Sequence, residues 1–420
     1  MRIALITNNF LPKTGGITNV MVNVSGKLKK LGEKVSVLNK THDEKERLCY
    51  KLLSNTTSLK GIVVHNVKFF YFLFFLFLKI IFSFKEITLK DKLRLASFYC
   101  FYPKFIVRRT ISLKNLVSHF KKQKYDIVLS GTSDISLLYS FIIAKWFRLP
   151  LITIAHGDDF LRRYPFKIKE YIFQNIQKLV VTNEFMRKLF LKIYDVNPVN
   201  VNVIHLGVNI EESQVKESII DLRKKFNILS DEFIILTVSR FYPRKGFETV
   251  LKAIRLIKDE NPGIKIKYCL IGRGEEEKRI INTIKSLELN DDVKLLGQVD
   301  DITKNQFYKL SNVFVLVPEI SKNSIEGFGI VYTEANYFHI PVIGSRSGGV
   351  RVAIEDGKNG FLIDPKDVEN LKILIMKLYE NEQLRKKLGE YGHNRVIDLF
   401  NWSKNALKYR ELLKKTKEEF

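Results

Sequence analysis

The sequence predicts an α/β protein built from two doubly wound parallel sheets. Short β-rich runs alternate with amphipathic helical patterns along most of the chain, the arrangement that βαβ units require. The alternation stops at an acidic stretch, EESQVKES, and then starts afresh. The 420 residues also exceed the roughly 100 to 200 that one core usually serves, so more than one globular domain is expected.

The first series opens with RIALITN, followed by a Gly-Gly loop and by Val20, Met21, Val24 and Leu28 at helical spacing. KVSVLN, YDIVLSG, LPLITIAHG, KLVVTN and VNVIHLG read as further strands, most of them ending in polar or glycine residues. Ligand-binding groups collect at such strand ends. The second series runs through DEFIILTVSRF, KIKYCLIGRG, DVKLLGQV, NVFVLVPE, IPVIGSRSGG and NGFLIDP. The closing NWSKNALKYRELLKKTKEEF reads as a charged helix with Leu407, Tyr409 and Leu412 as packing positions. The expected boundaries are 1–208 for the first domain, 209–400 for the second, and 401–420 for a helix returning toward the first.

Charge is uneven along the chain. The formal net charge is +25, with 34 basic against 13 acidic residues through residue 210 and 36 against 32 beyond it. A lysine-rich genome would spread the excess evenly, so an N-terminal concentration points to an anionic partner: nucleic acid, an anionic membrane surface or a phosphorylated substrate. Cys49, Cys100 and Cys269 lie far apart without CxxC spacing, which supports neither a disulfide framework nor a zinc site and fits reduced cytoplasmic thiols. MRIALITNNF has too few apolar residues for a secretory signal and reads as a first strand. One segment, Phe69 to Phe84 within the basic and aromatic region 68–112, is a membrane candidate. As a helix it reaches about 24 Å against a hydrocarbon core of about 30 Å, so it does not span. It fits either a helix lying in the membrane interface or one buried in the domain core.

Three stretches carry chemistry. VSRFYPRKGFETVLKAI puts Arg240 and Lys245 on a loop ahead of a helix whose first N–H groups have no intrahelical partner. Arg offers a fork of donors, Lys a point charge and the helix end a positive dipole, a set suited to a diphosphate. In EGFGIVYTEA, Gly327 and Gly329 let the backbone approach a ligand, a helix begins near Ile330, and Glu326 and Glu334 flank the turn. An acid inside a phosphate-binding turn repels its ligand unless it faces hydroxyl groups, and a sugar supplies those. Ser347-Gly348-Gly349 closes a later strand of the same series.

Together with LPKTGGITNV, IAHGDDF, VIHLGVN, LIGRGEEE, VKLLGQV and PVIGSRSGGVRVAIEDGKNGFLIDP, these stretches make the chain resemble, over almost its whole length, the family 4 retaining glycosyltransferases of the GT-B fold. The resemblance implies two Rossmann-like domains facing across a cleft and a nucleotide-diphosphate sugar as co-substrate, with no other cofactor. It implies that Arg240 and Lys245 neutralise the donor diphosphate, that Glu326 contacts hydroxyls of the transferred sugar and that Glu334 holds the ribose. Gly327, Phe328, Gly329 and Ile330 then line the sugar and phosphate with backbone groups, and Gln298 and Val299 border the base. In the first domain it implies that Gly15 and Gly16 reach the phosphates or acceptor and that His156 lies near the transferred sugar. His156, Arg240, Lys245 and Glu326 are thus the expected catalytic set. Asp158 and Asp159 are candidates for acceptor binding; as two adjacent acids without a spaced partner they make a weak metal site, so metal-independent catalysis is expected. His205, by contrast, reads as structural.

The expected reaction is same-face displacement through an oxocarbenium-like state, with the departing diphosphate stabilised by Arg240, Lys245 and helix-end amides. Glu326 and Glu334 do not suit the roughly 5 Å pair of a retaining hydrolase, since eight residues of one helix rise about 12 Å. The basic N-terminal half fits a lipid-linked or cell-envelope glycan acceptor and a peripheral location at the inner face of the cell membrane. Alternatives are an inverting GT-B transferase, a soluble acceptor, and a non-catalytic nucleic-acid-binding protein; the last lacks any helix-turn-helix, zinc or aromatic-strand motif. A dinucleotide fingerprint is missing too, because GRGEEE carries acids where the third glycine belongs.

Overall fold

The computed structural model describes residues 1–7, 10, 16–42, 48–51, 58–59, 89, 92, 116–161, 168–210, 214–321 and 324–420. The Phe69 to Phe84 segment and Gly15 lie outside these residues. Contacts divide the chain into two compact units: Met1–Ile204 with Ala406–Phe420, and His205–Asn405.

The first unit is built on β1 (Arg2–Thr7), β2 (Lys34–His42), β5 (Ile127–Ser130), β6 (Leu151–Ala155), β7 (Lys178–Val181) and β8 (Val201–Val203), all parallel to their neighbours. β3 (Leu48–Lys51) and β4 (Ser58–Leu59) extend the β2 edge as antiparallel strands, giving the order β4-β3-β2-β1-β5-β6-β7-β8. Parallel strands covered on both faces have no solvent side, and β1, β5 and β6 accordingly read as apolar runs that are buried nearly throughout. Helix α1 (Gly16–Lys30) follows β1 and lays Val20, Met21, Val24 and Leu28 into the core, as their spacing requires. α2 (Ile135–Phe147) follows β5, its first turn capped by the Asp134 side chain, which accepts the Ser136 N–H. α3 (Asp158–Leu161), α4 (Ile168–Gln174) and α5 (Glu184–Ile193) complete the connections.

In the second unit α6 (Ile219–Lys225) leads into β9 (Phe233–Val238), α7 (Phe247–Glu260), β10 (Ile266–Ile271), α8 (Glu277–Ser286) and β11 (Val293–Gly297). α9 (Asp301–Leu310), β12 (Val313–Leu316), α10 (Ile330–Tyr337), β13 (Val342–Ser345), α11 (Val350–Ala353) and β14 (Gly360–Ile363) follow. The strand order is β11-β10-β9-β12-β13-β14, all parallel. Consecutive strands proceed outward in one direction from β9 and in the other from β12. The connections therefore part above the β9/β12 pair and open a crevice at their carboxyl ends, the place where sheets of this kind take ligands.

α12 (Val368–Glu380) and α13 (Glu382–Leu399) precede the last helix, α14 (Trp402–Glu419). α14 from Ala406 onward, with Phe420, belongs to the first unit, where Arg410 donates to Glu33 at 2.9 Å and Lys417 to Asp126 at 3.0 Å. Burial pushes the Glu33 carboxyl up, but the Met1 amino group and Arg410 outweigh it and hold it below the ordinary glutamate value. The buried stripe of α14 is Trp402, Asn405, Ala406, Tyr409, Leu413 and Thr416, whereas Leu407 is exposed. The expected packing position at Leu407 is thus corrected: it lies one residue off an i, i+3, i+4, i+7 stripe that accepts polar Asn405 and Thr416, which hydrophobicity alone does not reveal. Cys269 is a free thiol buried in β10, and burial raises its pKa to about 12. Among the described residues no helix is long and apolar enough to cross a membrane.

Candidate functional site

Most of the candidate residues of the second unit follow the carboxyl ends of its parallel strands. The loop after β9 contains Arg240, Arg244 and Lys245, the last two in a short 3-10 turn, Pro243–Lys245. This loop is fastened to the segment after β12: the Glu319 N–H donates to the Arg244 carbonyl at 2.7 Å. Gly246 follows in the left-handed region at φ 72°, and a Cβ there would stand 2.3 Å from the Val317 carbonyl oxygen, so only glycine lets the two loops meet.

Glu326 comes from the segment after β12 and points at that basic turn. Its Oε2 accepts from Lys245 Nζ at 2.6 Å and from Arg244 Nη1 at 3.1 Å, with all three side chains largely shielded from solvent. Burial pushes the carboxyl up, but the facing Lys245 and Arg244 charges outweigh it and hold Glu326 below the usual glutamate range. It is therefore ionised at neutral pH and acts as an acceptor only. Its main chain is fixed as well: the Gly349 N–H donates to the Glu326 carbonyl at 2.8 Å. A Cβ at Gly349 would stand 2.0 Å from the Gly327 oxygen, and Ser347 Oγ donates to the Pro318 carbonyl at 2.6 Å. The Ser-Gly-Gly loop is thus a backbone clasp around Glu326 and Gly327.

Helix α10 starts at Ile330, with Gly329 as its cap and no side-chain acceptor for the first N–H groups. Tyr332 OH donates to the Leu316 carbonyl at 2.6 Å and pins the helix start on β12, while the Phe328 ring packs in the core against Phe400. Glu334 sits in the second turn of α10. It accepts from Tyr308 OH at 2.9 Å and lies 3.4 Å from Lys304 Nζ, both from α9. Tyr308 is held well above the ordinary phenol value by burial and by the Glu334 charge, so it stays protonated and donates. For Lys304, burial works against the charge, yet Glu334 and Asp301 raise its pKa. Gln298 and Val299 follow β11 directly ahead of α9, whose cap Asp300 accepts the Thr303 N–H at 2.7 Å.

In the first unit Gly16 begins α1 after β1, and His156 and Asp158 follow β6. His156 Nε2 lies 2.9 Å from the Gly131 carbonyl oxygen. A carbonyl only accepts, so Nε2 carries a proton. Asp159 is buried, and its carboxylate accepts the backbone N–H groups of Ser133 at 2.9 Å, His156 at 2.8 Å, Gly157 at 2.9 Å and Phe160 at 3.0 Å. Burial pushes this carboxyl up, but the His156 charge and the donated hydrogen bonds bring it below the ordinary aspartate value. The candidate acceptor residue Asp159 is thus the anchor of the loop that carries His156. Asp158 opens α3 half-buried beside it.

The structure brings Lys245 and Glu326 into direct contact, and Glu334 follows in the second turn of α10. Sequence reasoning missed Arg244, which pairs with Glu326 where Arg240 was the expected partner of Lys245; its position next to Lys245 was the available signal. It also missed Lys304 and Tyr308, whose i, i+4 spacing on α9 resembles that of any helix face.

The two parallel sheets are those of the GT-B glycosyltransferases that the chain resembles in fold. Two family models cover the chain: that of the Glycosyltransferase Family 4 matches residues 14–212 and that of the Glycosyl transferases group 1 matches 218–395. The chain belongs to the family 4 glycosyltransferases. Among its relatives, the capsular polysaccharide biosynthesis glycosyltransferase CapM of Staphylococcus aureus is 26% identical over 326 residues, covering 73% of this chain and 82% of CapM. The N-acetyl-alpha-D-glucosaminyl L-malate synthase of Bacillus anthracis is 26% identical over 268 residues, covering 63% of this chain and 68% of that enzyme. A glycosyltransferase from Rickettsia africae superposes with a TM-score of 0.74 at 19% identity, covering 99% of this chain and 98% of the other. Anabaena HepE in complex with UDP-glucose gives 0.70 at 17%, covering 99% and 100%. At such identities the solved structures establish the fold.

Proposed function

We propose that the protein transfers a sugar, with retention of anomeric configuration, from a nucleotide-diphosphate sugar to a lipid-linked or cell-envelope glycan. The observation that carries this is the Lys245–Glu326 contact at the carboxyl ends of β9 and β12, where a cation suited to diphosphate and a carboxylate suited to sugar hydroxyls adjoin an uncapped helix start. Arg240, Lys245 and the amides around Ile330 neutralise the diphosphate, Glu326 takes hydroxyls of the transferred sugar, and Glu334 takes the ribose. The bond from the anomeric carbon to the phosphate oxygen breaks as the bond to the acceptor oxygen forms on the same face. The acceptor's proton passes to the departing diphosphate, so no protein base is required, and Arg240 and Lys245 take the place of a metal ion on the diphosphate. CapM, by its name an enzyme of capsular polysaccharide biosynthesis, supports an envelope acceptor. The basic N-terminal half supports work at the anionic inner face of the cell membrane.

Incubation with UDP-, GDP-, ADP- and TDP-sugars and lipid-linked or soluble saccharides, with and without EDTA, tests this. The expected product is a retained linkage on the lipid-linked acceptor, resolved by the anomeric coupling in its proton NMR spectrum and formed equally with EDTA. An inverted linkage removes the same-face mechanism. Absence of transfer and of donor hydrolysis with every sugar nucleotide removes the function.

A further inference from the structure

Glu326 has two cations on one oxygen, and only one of them is expected at the diphosphate. Lys245 Nζ and Arg244 Nη1 both take Oε2, and neither takes Oε1. A shielded carboxylate keeps its charge only while a counter-charge faces it. If Lys245 alone served Glu326, a bound diphosphate would compete for that ammonium and strip the carboxylate of its partner. Arg244 removes the conflict. Its main chain is tied to the segment after β12 through Glu319, its guanidinium lies within hydrogen-bond reach of Glu326, and the trio keeps one net positive charge for an incoming anion.

We propose that Arg244 is a positioning residue that holds Glu326 ionised and in place while the donor diphosphate draws Lys245 away. The inference rests on the transferase reading and deepens it, since it makes phosphate binding and sugar-hydroxyl binding two uses of one charge cluster. The charged and titratable groups facing Glu326 are Lys245 and Arg244 from the loop after β9 and the Tyr332 phenol from α10. The loop after β13 meets it with the backbone of Gly348 and Gly349. Tyr332 is held well above the ordinary phenol value by burial and by the Glu326 charge, so it remains neutral and Arg244 and Lys245 set the ionisation of Glu326. Removing Arg244 therefore raises the Glu326 pKa.

A double-mutant cycle distinguishes action through Glu326 from direct contact with phosphate. The probe is whichever of UDP, GDP, ADP and TDP the wild-type protein binds most tightly, titrated calorimetrically into wild type, Arg244→Met, Glu326→Gln and the double variant. Arg244→Met is expected to weaken binding about tenfold in the wild-type background and less than about twofold in the Glu326→Gln background, where Lys245 has no carboxylate to serve. Arg244→Lys restores most of the affinity, and the acid limb of the wild-type kcat profile moves to higher pH in Arg244→Met. Arg244→Gln repeats the cycle with a polar side chain, and the melting temperature without ligand is recorded for each variant. An equal loss in both backgrounds, or no loss in the wild-type background, overturns the inference and leaves the transferase reading standing. A wild-type protein that binds none of the four overturns both.

Discussion

Replacing Glu326 by Gln lowers sugar transfer about hundredfold and leaves nucleoside diphosphate binding at least as tight as in wild type. In the proposed transferase the carboxylate has two roles that the substitution separates. As an acceptor of sugar hydroxyls it makes charge-assisted hydrogen bonds, each contributing about 1.5–3 kcal/mol, or roughly 10- to 150-fold in rate when they strengthen toward the transition state. As the counter-ion of Lys245 and Arg244 it competes with phosphate for the same donors. The amide is nearly isosteric but neutral, so the first role weakens while the cations become available. The measurement is kcat under saturating donor beside a calorimetric titration with the diphosphate. Activity near wild type excludes Glu326 from the sugar site.

Replacing Asp159 by Ala destabilises the N-terminal unit by about 3–5 kcal/mol, read as a fall of roughly 10 °C in its melting temperature. The four backbone N–H groups on its carboxylate come from Ser133 after β5, from His156 and Gly157 after β6 and from Phe160 in α3; Ala takes this acceptor from all four, and only Phe160 keeps another, the Gly157 carbonyl at 3.1 Å. The Asp159 pKa is lower in the folded protein than in the unfolded chain, so its contribution is fully present above the unfolded value of about 3.9. It is lost as pH falls through the lower folded value. Melting curves from pH 7 downward should therefore show the gap between wild type and Asp159→Ala narrowing below about pH 4. A gap of less than about 1 kcal/mol at pH 7 contradicts the anchoring role.

The fold was legible because period and punctuation carry it. RIALITN, DEFIILTVSRF and NVFVLVPE are apolar runs too short for helices, and they became β1, β9 and β12. Strand order was not legible, since pairing of β9 with β12 depends on contacts between residues far apart in sequence. The antiparallel β3 and β4 belong to a stretch without alternating apolar pattern, and sequence reasoning left them out. At the site, residue type and glycine spacing singled out Lys245 and Glu326 as partners of one ligand. Spacing carries no side-chain direction, which is why neither the Arg244–Glu326 pair nor the hydrogen bonds of Asp159 were legible. An acid one residue into a short helix accepts the N–H groups around it.

In the proposed transferase the carboxyl ends of β9 and β12 clamp a nucleoside diphosphate through Lys245, with the ribose held at Glu334. Calorimetric titration of the tightest-binding diphosphate into wild type, Lys245→Met and Glu334→Gln tests it most directly. Each substitution is expected to weaken binding about tenfold or more, the value of one charge-assisted contact. Wild-type affinity in Lys245→Met would contradict it.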